Sequence, residues 1–143
     1  MISVREVLTL PADRRVLRQV SHLIDRFSRV VKFSAIETHD VQVAVAEACT
    51  NAIIHGLEEN SERTFSLEVE LQDRTLVITL KEEGKPFDFD AIPAADLSSS
   101  LKERRIGGLG VHLIFNLMES VEYRTEPDGS KVLRMTKTAA PGD

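Results

Sequence analysis

The chain has 143 residues, enough for one domain with a real core and too few for two. Hydrophobic residues make up 42% and charged residues 29%, a balance that excludes wholesale disorder and fibrous architectures. Acidic residues outnumber basic ones 23 to 18, and a net charge of -5 gives no general pull toward nucleic acid, so protein or small-molecule partners are expected.

Val4, Leu8 and Leu10 form a β-prone opening that ends at Pro11. Charges fall among these residues where a secretory signal needs an apolar run. Apolar residues then recur every three to four positions, at Val16/Leu17, Val20, Leu23/Ile24, Phe27 and Val30/Val31, which predicts an amphipathic helix of about five turns. Ser34 followed by Glu37 has the spacing of a capping box, with Asp40 an alternative cap for the next helix. Residues 41–55 are rich in Ala and other apolar types, and Gly56 follows where a helix C-cap glycine is expected. Cys49, in this segment, is the single cysteine; an intramolecular disulfide and a Cys-pair zinc site are excluded, and a reducing cytoplasm is the expected compartment. His22, His39, His55 and His112 never fall at metal-ligand spacing, so no transition-metal site is expected.

Two strands are predicted over 64–71 and 75–81, joined by a hairpin at 72–74, with clear alternation in Leu76, Ile78 and Leu80. Periodicity then fails over 82–102, where Gly84, Pro86, Pro93 and Ser98 to Ser100 mark a long loop of the kind that usually serves function. Gly107, Gly108 and Gly110 lead into an apolar helix over 111–118. The longest stretch free of charged residues, 106–118, has 13 residues and falls short of the roughly 20 needed to cross a bilayer, so a soluble protein without membrane contact is expected. Strands over 121–125 and 131–136 are closed by Asp128-Gly129, and residues 139–143 read as a frayed tail after a single domain over 1–138. The order β, α, α, β, β, loop, α, β, β predicts an α+β fold, a two-layer α/β sandwich with helices on one face of a mixed, mostly antiparallel sheet.

Three constellations carry chemistry. Glu47, Asn51 and His55 succeed one another at spacings of four, which places a carboxylate, an amide and an imidazole along one slowly drifting face of an apolar helix. Such a stripe can simply face solvent. It can equally wall a cleft in which the carboxylate takes a proton and the amide oxygen ligates Mg²⁺ beside phosphate oxygens. The segment Glu82-Glu83-Gly84-Lys85-Pro86-Phe87-Asp88 directly follows a strand and taken alone reads as a turn. Arg104-Arg105-Ile106-Gly107-Gly108-Leu109-Gly110 opens a helix, where backbone N–H groups and the helix dipole favour an anion, although tight packing would also use these glycines. A dinucleotide fingerprint fails because Leu113 stands three residues after Gly110, and a P-loop fails because Pro86 follows Gly84-Lys85.

Taken together and in this order, the three elements resemble the GHKL ATPase superfamily, specifically its small anti-sigma-factor serine kinases of the RsbW and SpoIIAB type. The run from Glu47 to Gly56, EACTNAIIHG, resembles the N-box. Glu82 to Asp88 resembles the D-x-G-x-P-F-D box, residues 107–110 with Val111 to Ile114 resemble the second glycine box, and Arg134 to Lys137 resembles the last strand. The resemblance implies the Bergerat fold, ATP and Mg²⁺ as cofactors, and Glu47 as general base with Asn51 holding the metal. It implies that Glu82 and Gly84 meet the adenine, with Pro86 and Phe87 beside them. Gly107, Gly108, Leu109, Gly110 and Val111 would present the helix start to the phosphates, and His55 would support the helix end or pocket edge. Residues 91–105 would form a lid in which Lys102, Arg104 or Arg105 neutralises phosphate charge. One departure stands out: Glu82 occupies the family's Asp position, and its extra methylene moves the carboxylate by about 1.5 Å. The implied function is an ATP-dependent serine/threonine-protein kinase and anti-sigma factor that phosphorylates a STAS-domain antagonist, binds a sigma factor and forms a homodimer. The alternative is a non-catalytic, nucleotide-responsive interaction module regulating a sigma factor or a phosphatase.

Overall fold

The computed structural model describes residues 4–83 and 109–141, with side chains over 4–83 and 111–141. Strand β1 spans Val4–Pro11, helix α1 Val16–Val31, helix α2 Ala35–Asn51, β2 Thr64–Gln72, β3 Thr75–Glu82, helix α3 Leu109–Leu117, β4 Ser120–Thr125 and β5 Lys131–Thr138. The α+β sandwich expected from the sequence is what forms. Helix α2 packs between α1 and α3, and its Val41, Ala44, Val45, Ala48 and Cys49 are buried. Small side chains on this middle helix let both neighbours approach closely. Among the described residues, no helix is long and apolar enough to cross a membrane.

The five strands run in the order β1-β2-β3-β5-β4, and all four pairings are antiparallel. The mixed sheet expected from the sequence is therefore corrected to a fully antiparallel one. The chain passes beyond β3 to build β4 at the edge, and the Asp128-Gly129 turn folds β5 back into the slot beside β3. Gly129 takes φ +89°, a conformation in which a side chain would be strained, while Asp128 Oδ1 accepts the Ser130 N–H at 2.9 Å. Strand alternation sends one row of side chains to the helices: Phe65, Leu67, Val69 and Leu71 of β2, and Leu76, Ile78 and Leu80 of β3. Met135 and Leu133 of β5 continue that layer opposite Ile78 and Leu80. Each such side chain, fully buried, stabilises the fold by about 1.5–3 kcal/mol.

Ser34 is the cap of α2, and the box is reciprocal: Ser34 Oγ accepts the Glu37 N–H at 3.0 Å, and Glu37 Oε1 accepts the Ser34 N–H at 2.8 Å. Asp40 thus lies inside the helix and caps nothing. At the other end α2 does not stop at a left-handed glycine. It widens into a π-helical turn, Ala52–Gly56, in which Leu57 N–H bonds Ala52 O at 2.8 Å. Residues 139 and 140, expected in the frayed tail, are tied down: Ala139 is buried, its N–H bonds Arg74 O at 2.8 Å, and the Ala140 N–H bonds Glu37 Oε2 at 2.9 Å.

Candidate functional site

Asn51 is the last residue of α2 and only 6% exposed. Its Nδ2 is sealed from solvent and has no hydrogen-bond partner among the described residues. A buried amide left in this state costs about 1–3 kcal/mol, so an apolar residue would serve the fold better. Asn51 lines a cleft together with Ala48, Ala52, Leu80, Glu82, Tyr123, Lys131 and Leu133. The mixture of apolar walls with a few convergent polar groups is typical of small-molecule sites.

Glu82 enters the same cleft from the sheet. It closes β3, and the alternation that buries Leu76, Ile78 and Leu80 carries its side chain to the helix face as well. The carboxylate, 6% exposed, lies against the backbone of Gly56. Directly across the ladder is Lys131, 7% exposed, whose Nζ donates to Gly129 O at 2.7 Å. Sequence reasoning passes over Lys131 and Tyr123 as site residues. Their signal is the alternation of β5 and β4, since Lys131 precedes the inward Leu133 and Met135 by two and four positions and Tyr123 pairs with Leu133.

The helix stripe is brought together in part. Glu47 is half-buried one turn before Asn51, outside the lining of the cleft. His55 lies within the π-helical turn, where the regular advance from Asn51 is interrupted, and it does not line the cleft either. Burial lowers the pKa of His55 below its ordinary value by disfavouring the charged imidazolium. Cys49 is fully buried with its thiol pushed up to about 12, a structural residue without nucleophilic character. Val111 is buried at the start of α3, and Leu109 and Gly110 belong to that helix. Gly84, Pro86, Phe87, Lys102, Arg104, Arg105, Gly107 and Gly108, with the expected lid over 91–105, lie outside the described residues.

The donor set agrees with a metal-bound nucleotide. Rotating the Asn51 amide by half a turn exchanges its oxygen and nitrogen, so the buried group can offer an oxygen to a hard cation. Glu82 supplies a carboxylate in the lining of the same cleft.

The family described as histidine kinase-like ATPase domain matches residues 10–137. A serine-protein kinase RsbW of Halalkalibacterium halodurans is 31% identical over 134 residues, covering 91% of this chain and 80% of its own. An anti-sigma F factor of Bacillus subtilis is 32% identical over 101 residues, 71% of this chain and 69% of that protein. The solved structure of the RsbU and RsbW domains of Rv1364c from Mycobacterium tuberculosis superposes with a TM-score of 0.68 at 15% identity. It covers 97% of this chain, which spans about a third, 34%, of that longer one, and the likeness concerns the fold. The chain belongs to the histidine kinase-like ATPase family, in the branch of the RsbW-type serine-protein kinases and anti-sigma factors.

Proposed function

We propose that the chain is an ATP-dependent serine/threonine-protein kinase and anti-sigma factor of a cytoplasmic partner-switching system. It phosphorylates a STAS-domain antagonist, binds a sigma factor in its other state, and acts as a homodimer. The observation that carries this reading is the buried, unpartnered Asn51 amide at the cleft that also receives the Glu82 carboxylate. A pocket maintained only for packing has no use for either group. The named relatives, a serine-protein kinase and an anti-sigma F factor, support the activity and the kind of partner.

In this reading the adenine enters the slot between Ala48, Ala52, Leu80 and Leu133, and its amino group donates to Glu82. Asn51 would hold Mg²⁺, which would supply neutralisation of charge on the triphosphate. Glu47, one turn earlier on α2, takes the proton of the attacking serine or threonine hydroxyl. As that oxygen bonds to the γ-phosphorus, the bond from phosphorus to the bridging oxygen breaks and ADP leaves. Gly84, Pro86 and Phe87 are assigned to base recognition and Arg105 with Gly107 to Val111 to phosphate recognition by the family resemblance of their motifs.

Calorimetric titration with ATP, with and without Mg²⁺, tests the assignment. Wild type is expected to bind ATP more tightly with the metal, and Asn51→Ala to lose that dependence. Binding that ignores Mg²⁺ in both proteins would overturn the role of Asn51.

A further inference from the structure

Gly56 sits in the π-helical turn with an ordinary negative φ, so its backbone does not demand glycine. Space does. A Cβ built on Gly56 would stand 2.7 Å from Glu82 Cδ and 2.8 Å from Oε1, with Oε2 nearer still. All three terminal atoms of one side chain fill the volume that a methyl group would need. Both residues are buried, Gly56 at the end of the helix layer and Glu82 at the end of the sheet layer.

We infer that Gly56 is a positioning residue for base recognition: the absence of its side chain fixes where the Glu82 carboxylate stands, and with it the preference for adenine. The inference rests on the nucleotide reading of the cleft and adds a coupling between two residues that the reading alone does not contain. A carboxylate on a three-bond stem has several places to go. The one observed lays it against the Gly56 backbone, in the lining of the cleft that Ala48, Ala52, Leu80 and Leu133 also wall. A methyl group on Gly56 displaces the carboxylate, and the cleft is an open volume beside it on the helix-facing side of the sheet. There it would occupy the space of the base instead of accepting from its amino group.

The same geometry supplies the rescue. An aspartate at position 82 is one methylene shorter, drawing its carboxylate back by about 1.5 Å, and has room for a methyl group on residue 56. The effect of Gly56→Ala should therefore depend on which acid stands at 82, a dependence that a purely structural glycine would lack.

The experiment compares wild type, Gly56→Ala, Glu82→Asp and Gly56→Ala/Glu82→Asp by titration with Mg-ATP and Mg-GTP, with thermal unfolding of each protein. Gly56→Ala is expected to fold, because the atoms it meets are the end of a flexible side chain, and to lose roughly ten-fold or more in ATP affinity together with its preference over GTP. The double variant is expected to recover both to within about three-fold of Glu82→Asp. In turnover assays the change should appear in KM with kcat little altered, since the base lies far from the reacting phosphate. Gly56→Ala that binds ATP like wild type overturns the inference, as does a double variant as weak as Gly56→Ala. If Gly56→Ala alone fails to fold, a folded, ATP-binding double variant supports the contact as the cause, and an unfolded one overturns it. Wild type that binds neither nucleotide refutes the nucleotide reading itself, an outcome distinct from failure of the coupling.

Discussion

Replacing Asn51 by Leu should stabilise the protein while destroying its nucleotide site. Asn51 is 6% exposed and its Nδ2 has no partner among the described residues, so the folded state carries the desolvation of that group without a hydrogen bond in return. Removing an unsatisfied buried donor recovers about 1–3 kcal/mol. Leucine adds apolar contact with Ala48, Ala52 and Leu80 around the cleft, and some of this gain is offset by the fitting of a branched side chain. A net increase of about 1–2 kcal/mol is expected. For a domain of this size that raises the unfolding midpoint by roughly 3–8 °C. Calorimetric or optical melting without nucleotide measures the first effect and titration with Mg-ATP the second. An ordinary buried polar residue behaves in the opposite way, its loss weakening the fold. Asn51→Leu that melts below wild type, or that still binds Mg-ATP with unchanged affinity, would refute the view that this amide is held unpaired for a ligand.

Glu47→Gln should retain Mg-ATP binding and lower phosphotransfer by roughly 10²-fold or more, which single-turnover kinetics with saturating ATP can measure. Glu37→Ala removes the acceptor of both the Ser34 and Ala140 N–H groups, costing about 1–2 kcal/mol in denaturant unfolding at pH 7. Those backbone hydrogen bonds hold the Glu37 pKa below its ordinary value of 4.5, so its contribution is complete above that value and fades as the pH falls through the folded-state pKa. The stability gap between Glu37→Ala and wild type should accordingly narrow below about pH 4.5, and a gap that widens in acid would contradict the assignment.

Local signals in the sequence describe most of the fold. The period of α1, the Ser34 and Glu37 pair, the alternation of β3 and the Asp128-Gly129 turn each act over a few residues and appear where expected. What escapes depends on contacts distant in sequence. The sheet reads as mixed because the hairpin between β4 and β5 is local information, whereas the insertion of β5 between β3 and β4 is not. Gly56 reads as a C-cap from its place after a helical run, yet a carboxylate 26 positions away on another layer is what excludes its side chain. The π-helical turn has no sequence period of its own and merges with the helix before it. Within the site, Asn51 and Glu82 are legible as chemistry-bearing residues, and only the register of β3 with β5 brings Lys131 opposite Glu82. Ala139 and Ala140 look like the start of a polar, proline-containing tail, and their attachment to Arg74 and Glu37 has no local signal.

Transfer of label from γ-labelled ATP to a STAS-domain antagonist decides whether this chain performs the proposed phosphoryl transfer. Purified wild type with Mg²⁺ is expected to place the label on a serine or threonine of the antagonist, with one ADP formed for each phosphate transferred, while Glu47→Gln under the same conditions transfers at roughly a hundredth of the rate or less. An antagonist that binds the protein yet remains unlabelled in the presence of bound ATP would contradict the kinase account.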